Sequence, residues 1–314
     1  MPRKVLVTGG AGFIGSHLVR ALLAQGDAVR VVDDFSTGNR RNLADLAELE
    51  VVDADLTSAP LGTAVEGVDT IFHLAAVPSV PRSVRDPLRS HEAAATATLR
   101  LLIAARDAGV RAFVNSSSSS VYGDVATPPM RETMPTLPRS PYAVAKLAAE
   151  GYVRVFSGLY SMSTVSLRYF NVFGPRQDPS SPYSAVIPRF VSAYLRGTEP
   201  VIYGDGRQSR DFTFVENVVR ANVLAGSRDG LVGQSVNVAA GQPHSLLELL
   251  DMIAARFGRR IEPRFEPARP GDIRDSHADT SLAATLFGYE TSITMADGLG
   301  RTIDWLKENE GSAS

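Results

Sequence analysis

Tyr142 and Lys146 stand four residues apart behind Ser140-Pro141, and in a helix that spacing puts a phenol and an ammonium on one face. An ammonium beside a phenol favours the phenolate, lowering the tyrosine toward neutrality and making it a usable general base. The chain has nine tyrosines but only three lysines (Lys4, Lys146, Lys307), so a surface coincidence is the weaker reading. Near the N-terminus Gly9, Gly12 and Gly15 form G-x-x-G-x-x-G, and Gly10 completes the G-x-G-x-x-G form as well. Glycines there allow a tight turn and the close approach of a pyrophosphate to a helix N-terminus. Asp33 follows Gly15 by 18 residues at the end of the next apolar run. A carboxylate at that point accepts both hydroxyls of an adenosine ribose and repels a 2′-phosphate, which points to NAD and away from NADP. Asp33-Asp34 with Asp53-x-Asp55 lacks a third ligand group, so no metal is expected. Ser116–Ser120, five serines in a row, has the composition of a linker. Its flanks, Phe113-Val114-Asn115 and Val121-Tyr122-Gly123, read instead as a buried strand running into a ligand-facing turn. No G-x-S-x-G elbow occurs, which excludes the common serine-hydrolase arrangement.

These groups need elements to hold them. Short apolar runs at Lys4–Thr8, Ala28–Val32, Leu49–Asp53, Thr70–Leu74, Arg111–Ser116 and Thr164–Tyr169 read as strands. Helical patterns at Phe13–Gln25, Pro87–Ala108 and Tyr142–Tyr160 lie between several of them. Strands apolar on both faces, alternating with helices, predict an α/β fold with a Rossmann-type doubly wound parallel sheet. Beyond residue 171 a turn-rich stretch precedes shorter elements: helices near Ala185–Arg196, Glu216–Ala225, Leu246–Arg256 and Ala296–Glu308, and strands near Val201–Tyr203 and Ser235–Val238. The expected organisation is a dinucleotide-binding domain over 1–171, with segments around 212–243 returning to it, and a smaller mixed α/β C-terminal substrate lobe over 172–314.

Composition narrows the function further. With 32 Lys plus Arg against 34 Asp plus Glu the net charge is −2 and no basic stretch stands out, so neither nucleic acid nor a membrane surface is an expected partner. The absence of cysteine excludes a disulfide scaffold, a thiolate nucleophile and Cys-ligated metal. The five histidines are scattered, and His91-Glu92 has Ala95 where a zinc-protease pattern needs its second histidine. Without an apolar signal core or a membrane-length run, the expected location is the cytoplasm.

Taken together, the chain resembles the extended short-chain dehydrogenase/reductases, and among them the NAD-dependent nucleotide-sugar 4-epimerases. The resemblance rests on Thr8–Gly15, Asp33, Asp55-Leu56, His73-Leu74-Ala75-Ala76, Ser116–Gly123, Tyr142–Lys146, Leu167–Asn171, Ser209–Phe212 and Arg269–Asp272. It implies that Tyr142 takes the proton of the sugar 4-hydroxyl, that Ser118 hydrogen-bonds the same oxygen, and that Lys146 binds the nicotinamide ribose. It also implies NAD contacts from Gly9, Gly12, Phe13, Ile14 and Gly15, from Asp33, Asp34, Phe35, Ser36, Thr37 and Gly38, and from Asp55 and Leu56. Leu74, Ala75, Ala76, Ser116 and Tyr169 complete that set. Helix 89–108 and the helix after Tyr142 resemble the family's four-helix dimer interface, so a homodimer is expected.

Related dehydratases carry Asp-Glu after the catalytic serine, to supply an acid and a base, and related decarboxylases carry Glu at the second position. Ser119-Ser120 can do neither job. A 4-ketosugar reductase would use the same Ser-Tyr-Lys set but often prefers NADP, which Asp33 disfavours. An NAD-sensing regulator of the same fold would have lost residues that are intact here. For the UDP-sugar, the resemblance implies diphosphate contacts from Arg210, Arg269 and Asn171, a uridine slot at Ile187 and Tyr203, and further contacts from Val80 and Asp272. Ser276 stands where glucose-restricted members have tyrosine, and Ser79, Gln177 and Ala185 also resemble the subset accepting UDP-N-acetylglucosamine. Pro78 replaces a glycine of that subset and Ala94 an asparagine common in the family. A UDP-glucuronic acid 4-epimerase is the alternative, with Arg176 as the carboxylate partner.

Overall fold

The structure is a computed structural model, and it describes residues 2–47, 49–124, 127–178, 185–268 and 274–310. Six strands come in the first half: β1 (Lys4–Thr8), β2 (Ala28–Asp33), β3 (Glu50–Asp53), β4 (Thr70–His73), β5 (Ala112–Ser118) and β6 (Ser163–Tyr169). Short strands follow as β7 (Val172–Phe173), β8 (Val201–Tyr203), β9 (Ser209–Asp211) and β10 (Thr213–Phe214), then the longer β11 (Val232–Val238). Finally come β12 (Pro243–Ser245), β13 (Arg264–Glu266) and β14 (Asp275–Ser276). The main sheet is parallel throughout, in the order β11-β6-β5-β4-β1-β2-β3. Its strand order reverses between β1 and β4, where a crevice opens beyond the carboxyl ends of the strands. The doubly wound parallel sheet is therefore as the residue pattern predicts.

The helices are α1 (Phe13–Ala24), α2 (Gly62–Val65), α3 (Val80–Arg85), α4 (Pro87–His91), α5 (Ala97–Asp107) and α6 (Pro141–Tyr160), followed by α7 (Val186–Arg196), α8 (Val215–Gly226), α9 (Leu246–Phe257), α10 (Ser281–Phe287) and α11 (Met295–Glu310). Consecutive β1 residues are buried on opposite faces of the sheet. Val5 and Val7 pack with Leu18 of α1 and Val218 of α8, whereas Leu6 packs with Leu101 of α5 and Val153 of α6. A separate core joins α7, α9 and α11 through Phe190, Leu249 and Ile303, next to a three-stranded sheet ordered β12-β9-β14.

Several elements differ from the expectation. The single helix over 87–108 is broken by a π-helical turn, Glu92–Thr96, between α4 and α5. The serine run does not end the strand at Ser116: β5 continues through Ser118 before a 3₁₀ turn at Ser119–Tyr122. Helices α2, α3 and α10 and the short strands β7, β9, β10, β12, β13 and β14 lie where the residue pattern predicts no element. Helix α6 begins as Ser140-Pro141 suggests, with Ser140 Oγ accepting the Ala143 N–H at 3.2 Å. No described helix is long and apolar enough to cross a membrane.

Candidate active site

A cleft of about 640 Å³ lies at the reversal point of the sheet. The turn after β1 forms its floor, and the backbone explains the glycines. Gly9 has φ +68°, and a Cβ on it would stand 2.7 Å from the Ala75 nitrogen. A Cβ on Gly15 would fall 2.1 Å from the Gly9 carbonyl oxygen. The strand, the turn and the start of α1 are thus compressed into a cradle that only glycines permit, which fits a dinucleotide pyrophosphate. Gly12, Phe13 and Ile14 line the same floor. Asp33 ends β2 at the edge of the cleft; its two oxygens accept the N–H groups of Ala11 and Phe35, each at 2.8 Å. Burial pushes the Asp33 carboxyl up, against the pull of those two N–H groups.

Asp34, Ser36, Thr37 and Gly38 continue the lining along one wall. Phe35 does not join them: its backbone is left-handed at φ +55° and Arg40 stacks 3.6 Å from its ring centroid. Asp55 and Leu56 face the cleft beside Thr57, whose N–H and hydroxyl hold Asp55 Oδ1 and keep its carboxyl below the usual range. Leu74, Ala75 and Ala76 line it from the end of β4, and Tyr169 from β6, with the Tyr169 hydroxyl donating to Asn222 Oδ1 at 3.0 Å. Arg82 and Arg89, which motif reading passed over, also reach the cleft. Their only sequence signal is position, three and ten residues after Ser79.

Tyr142 and Lys146 project from the first turns of α6, Tyr142 half-buried and Lys146 buried. Ser118 is the group that acts on the Tyr142 phenol, and its Oγ accepts from Ser120 Oγ at 2.9 Å. The expected direct relief of the tyrosine by the lysine is not what the geometry gives. Lys146 Nζ donates to the Ser116 carbonyl at 2.8 Å and to Ser116 Oγ at 3.3 Å. Burial therefore raises the Tyr142 phenol, with Ser118 as the opposing influence, and pushes Lys146 down to about 8 against the pull of Glu150.

Beneath this site His73 is fully enclosed. Thr98 Oγ1 spends its proton on the Ala94 carbonyl at 2.5 Å, so His73 Nε2–H donates to Thr98 at 2.9 Å and Nδ1 accepts from Thr8 at 2.7 Å. Burial, and secondarily the Lys146 charge, lowers His73 from 6.5 to about 3. The unfolded chain therefore takes up a proton here below pH 6.5 that the native state refuses until about pH 3, and stability falls as pH drops through that window, by on the order of 5 kcal/mol in all. Asp211, raised to about 6 by burial, titrates with the opposite sign between about 6 and 3.8. The His73→Gln variant isolates the histidine contribution: chemical-denaturation stability from pH 7 to 4 should fall less steeply than in the parent, and parallel curves would remove His73 from the account.

A second cavity of about 280 Å³ adjoins the first, sharing Val172 and Ala185 with it. Asn171, Ile187, Tyr203 and Arg210 line it, whereas Ser79, Gln177 and Ala185 face the larger cleft. Arg210 Nη1 is anchored on the Ser209 and Arg274 carbonyls at 2.7 and 3.1 Å. Ser118 lines neither space, reaching the site through Tyr142. Val80, 42% exposed at the start of α3, lies outside both. Ser276 is buried on β14, in register with Arg210 on β9. Arg176 also lies outside both cavities, with Arg20 and Asp45 as its charged neighbours. Arg269 and Asp272 fall outside the described residues.

Residues 5–239 match the family model described as the NAD dependent epimerase/dehydratase family. The chain belongs to that family. NAD is thus its cofactor, as the glycine cradle and Asp33 anticipate. Among curated relatives of this family member, a UDP-glucose 4-epimerase of Mycolicibacterium smegmatis is 41% identical, with 97% of this chain and 98% of that one covered. Among solved structures, a UDP-N-acetylglucosamine 4-epimerase of Methanobrevibacter ruminantium, in complex with UDP-N-acetylmuramic acid, superposes with a TM-score of 0.94 at 40% identity, covering 98% and 99% of the two chains. A UDP-glucuronic acid 4-epimerase of Bacillus cereus, in complex with UDP-glucuronic acid and NAD, gives 0.90 at 32% identity over 98% and 99%.

Proposed function

We propose that the protein inverts C4 of a UDP-hexose, interconverting UDP-N-acetylglucosamine with UDP-N-acetylgalactosamine and UDP-glucose with UDP-galactose. The observation that carries this reading is Tyr142 with Lys146 in the lining of the cleft, Ser118 acting on the phenol, and two serines after Ser118 where elimination or decarboxylation would call for carboxyl groups. Tyr142 accepts the proton of the sugar 4-hydroxyl as C4 is oxidised, and returns it when C4 is reduced from the other face. Ser118 holds the same oxygen, and Lys146, fixed on Ser116, presents its ammonium to the ribose side of the cleft. When bound, NAD supplies the hydride acceptor, and then the donor, for C4. Arg210 and Asn171 take the diphosphate, and the second cavity takes the uridine. This reading places the protein in the cytoplasm, with NAD and nucleotide sugars. The test is mass spectrometry of nicotinamide released from the purified protein, together with turnover of UDP-sugars without added cofactor. Stoichiometric consumption of NADPH would favour a reductase.

On this reading substrate breadth rests with Ser276, which is buried on β14 in register with Arg210 and lines neither cavity; a tyrosine there would project far further toward the sugar than a serine. Ser276→Tyr should suppress turnover of UDP-N-acetylglucosamine and spare UDP-glucose, measured as the ratio of the two kcat/KM values. Equal loss of both would move the determinant to Pro78 and its neighbours.

The working unit on this reading is a homodimer. Ile103 of α5 and Tyr152, Val155 and Leu159 of α6 stand 39 to 70% exposed on helices that pack side by side. Light scattering at micromolar concentration should give twice the chain mass, and Val155→Glu with Leu159→Arg should halve it; a monomeric parent would refute the assignment.

A further inference from the structure

The Ser-Tyr-Lys set uses Ser118 and Ser116 of the serine run; Ser117, between them, borders the cleft but turns its hydroxyl to another partner. Ser117 is 3% exposed, and its Oγ donates to Glu150 Oε1 at 2.5 Å. Glu150 lies four residues beyond Lys146 and eight beyond Tyr142, so the three project in succession from one face of α6. Strand and helix thus meet at three successive points. Ser118 meets Tyr142, Ser116 meets Lys146, and Ser117 meets Glu150.

Glu150 is itself held on both oxygens. Arg168 of β6, the register partner of Ser117, donates from Nε to Oε1 at 2.9 Å and from Nη2 to Oε2 at 2.7 Å, and Ser235 Oγ of β11 donates to Oε2 at 2.8 Å. The Arg168 guanidinium lies 4.7 Å from the centroid of the Tyr122 ring, which fixes it from the other side. Both charges are sequestered, Glu150 at 2% and Arg168 at 4% exposure. A buried ion pair is a poor way to gain stability, because apolar residues of like volume do as well or better. An apolar pair has no acceptor for the Ser117 hydroxyl.

We infer that Glu150, locked by Arg168, is a positioning residue that grips Ser117 and thereby sets the end of β5, holding Ser116 and Ser118 in register with Lys146 and Tyr142. Displacing reacting groups by about 1 Å costs on the order of 100-fold in rate, so a partial loosening of this strand end should appear in kcat. The inference rests on the 4-epimerase reading.

Its test compares two hydroxyl deletions on the same carboxylate. Ser117→Ala frees the catalytic strand, whereas Ser235→Ala frees only β11, which carries no catalytic residue. The expected result is a kcat about tenfold lower for Ser117→Ala, with the KM for UDP-glucose and the NAD affinity as in the parent, and a Ser235→Ala kcat equal to the parent's. Glu150→Asp, which retains the charge but withdraws it by one methylene, should reproduce the kcat loss at unchanged KM; it serves in place of Ser117→Ala if that variant does not fold. Parent-like kcat in both Ser117→Ala and Glu150→Asp overturns the inference, as does a kcat loss shared equally by Ser235→Ala, which would reveal general loosening of the core. A parent enzyme that epimerises no UDP-sugar fails the underlying reading first and takes this inference with it.

Discussion

Tyr142→Phe lowers kcat by roughly 10²–10⁴-fold and leaves the affinities for UDP-sugar and NAD close to those of the parent. The change removes one oxygen from a half-buried ring at the start of α6, and the ring itself keeps its packing. What is lost is the titratable hydroxyl on which Ser118 acts. Because burial raises the Tyr142 phenol, the parent should also show a rate that rises with pH across the range in which the tyrosine begins to ionise. The phenylalanine variant should lose that rise. Calorimetric titration with UDP and NAD, set beside initial rates of C4 inversion across pH, checks both parts. A parent-like rate in the variant would assign the proton transfer to another group.

Gly15→Ala weakens NAD binding by roughly 10- to 100-fold, the equivalent of 1–3 kcal/mol of local strain. The added Cβ would stand 2.1 Å from the Gly9 carbonyl oxygen and 2.8 Å from the Gly10 Cα, both backbone atoms. No side chain is available to swing aside, so the turn itself must open. The residues it displaces form the floor of the cleft, while the small sheet carrying Arg210 is separate. UDP binding should therefore survive, and NAD fluorescence titration with a parallel UDP titration distinguishes the two sites. Equal losses for both ligands would point to general destabilisation.

The parts of the molecule legible in the residues are those where a local rule coincides with the site. The first strand, its glycine turn and Asp33 lie within a single β-α-β unit, so spacing alone relates them. Ser140-Pro141 marks the start of α6, and the helical repeat then aligns Tyr142 with Lys146. Other features depend on contacts between distant segments. The Glu150–Arg168 pair spans 18 residues and meets across a helix and a strand; an acidic residue among the alanines of α6 carries no sign of what it faces. The β12-β9-β14 sheet is built from strands of two or three residues, too short for any periodicity to show. The helix over 87–108 has continuous helical composition, so its interruption has no compositional marker. Helical spacing aligns the Lys146 ammonium with the Tyr142 phenol but carries no sign of the Ser116 carbonyl, a strand away, to which Lys146 Nζ donates.

That interruption bears on how the family can diverge. A π turn is an α-helix carrying one surplus residue, and the surplus sets the rotational phase of everything after it. Between Glu92 and Thr96 it is what brings Thr98 round to His73. Loss of a single residue from this turn would rotate α5 by about 100° relative to α4. Thr98 would swing away from His73, and Ile103 would leave the face it shares with the exposed residues of α6. Insertions and deletions are usually confined to loops, yet here a one-residue length change within a helix would act on the cofactor cleft and on the exposed apolar face of α5 and α6 together. Length at 92–96, more than side-chain identity, sets the direction in which α5 faces.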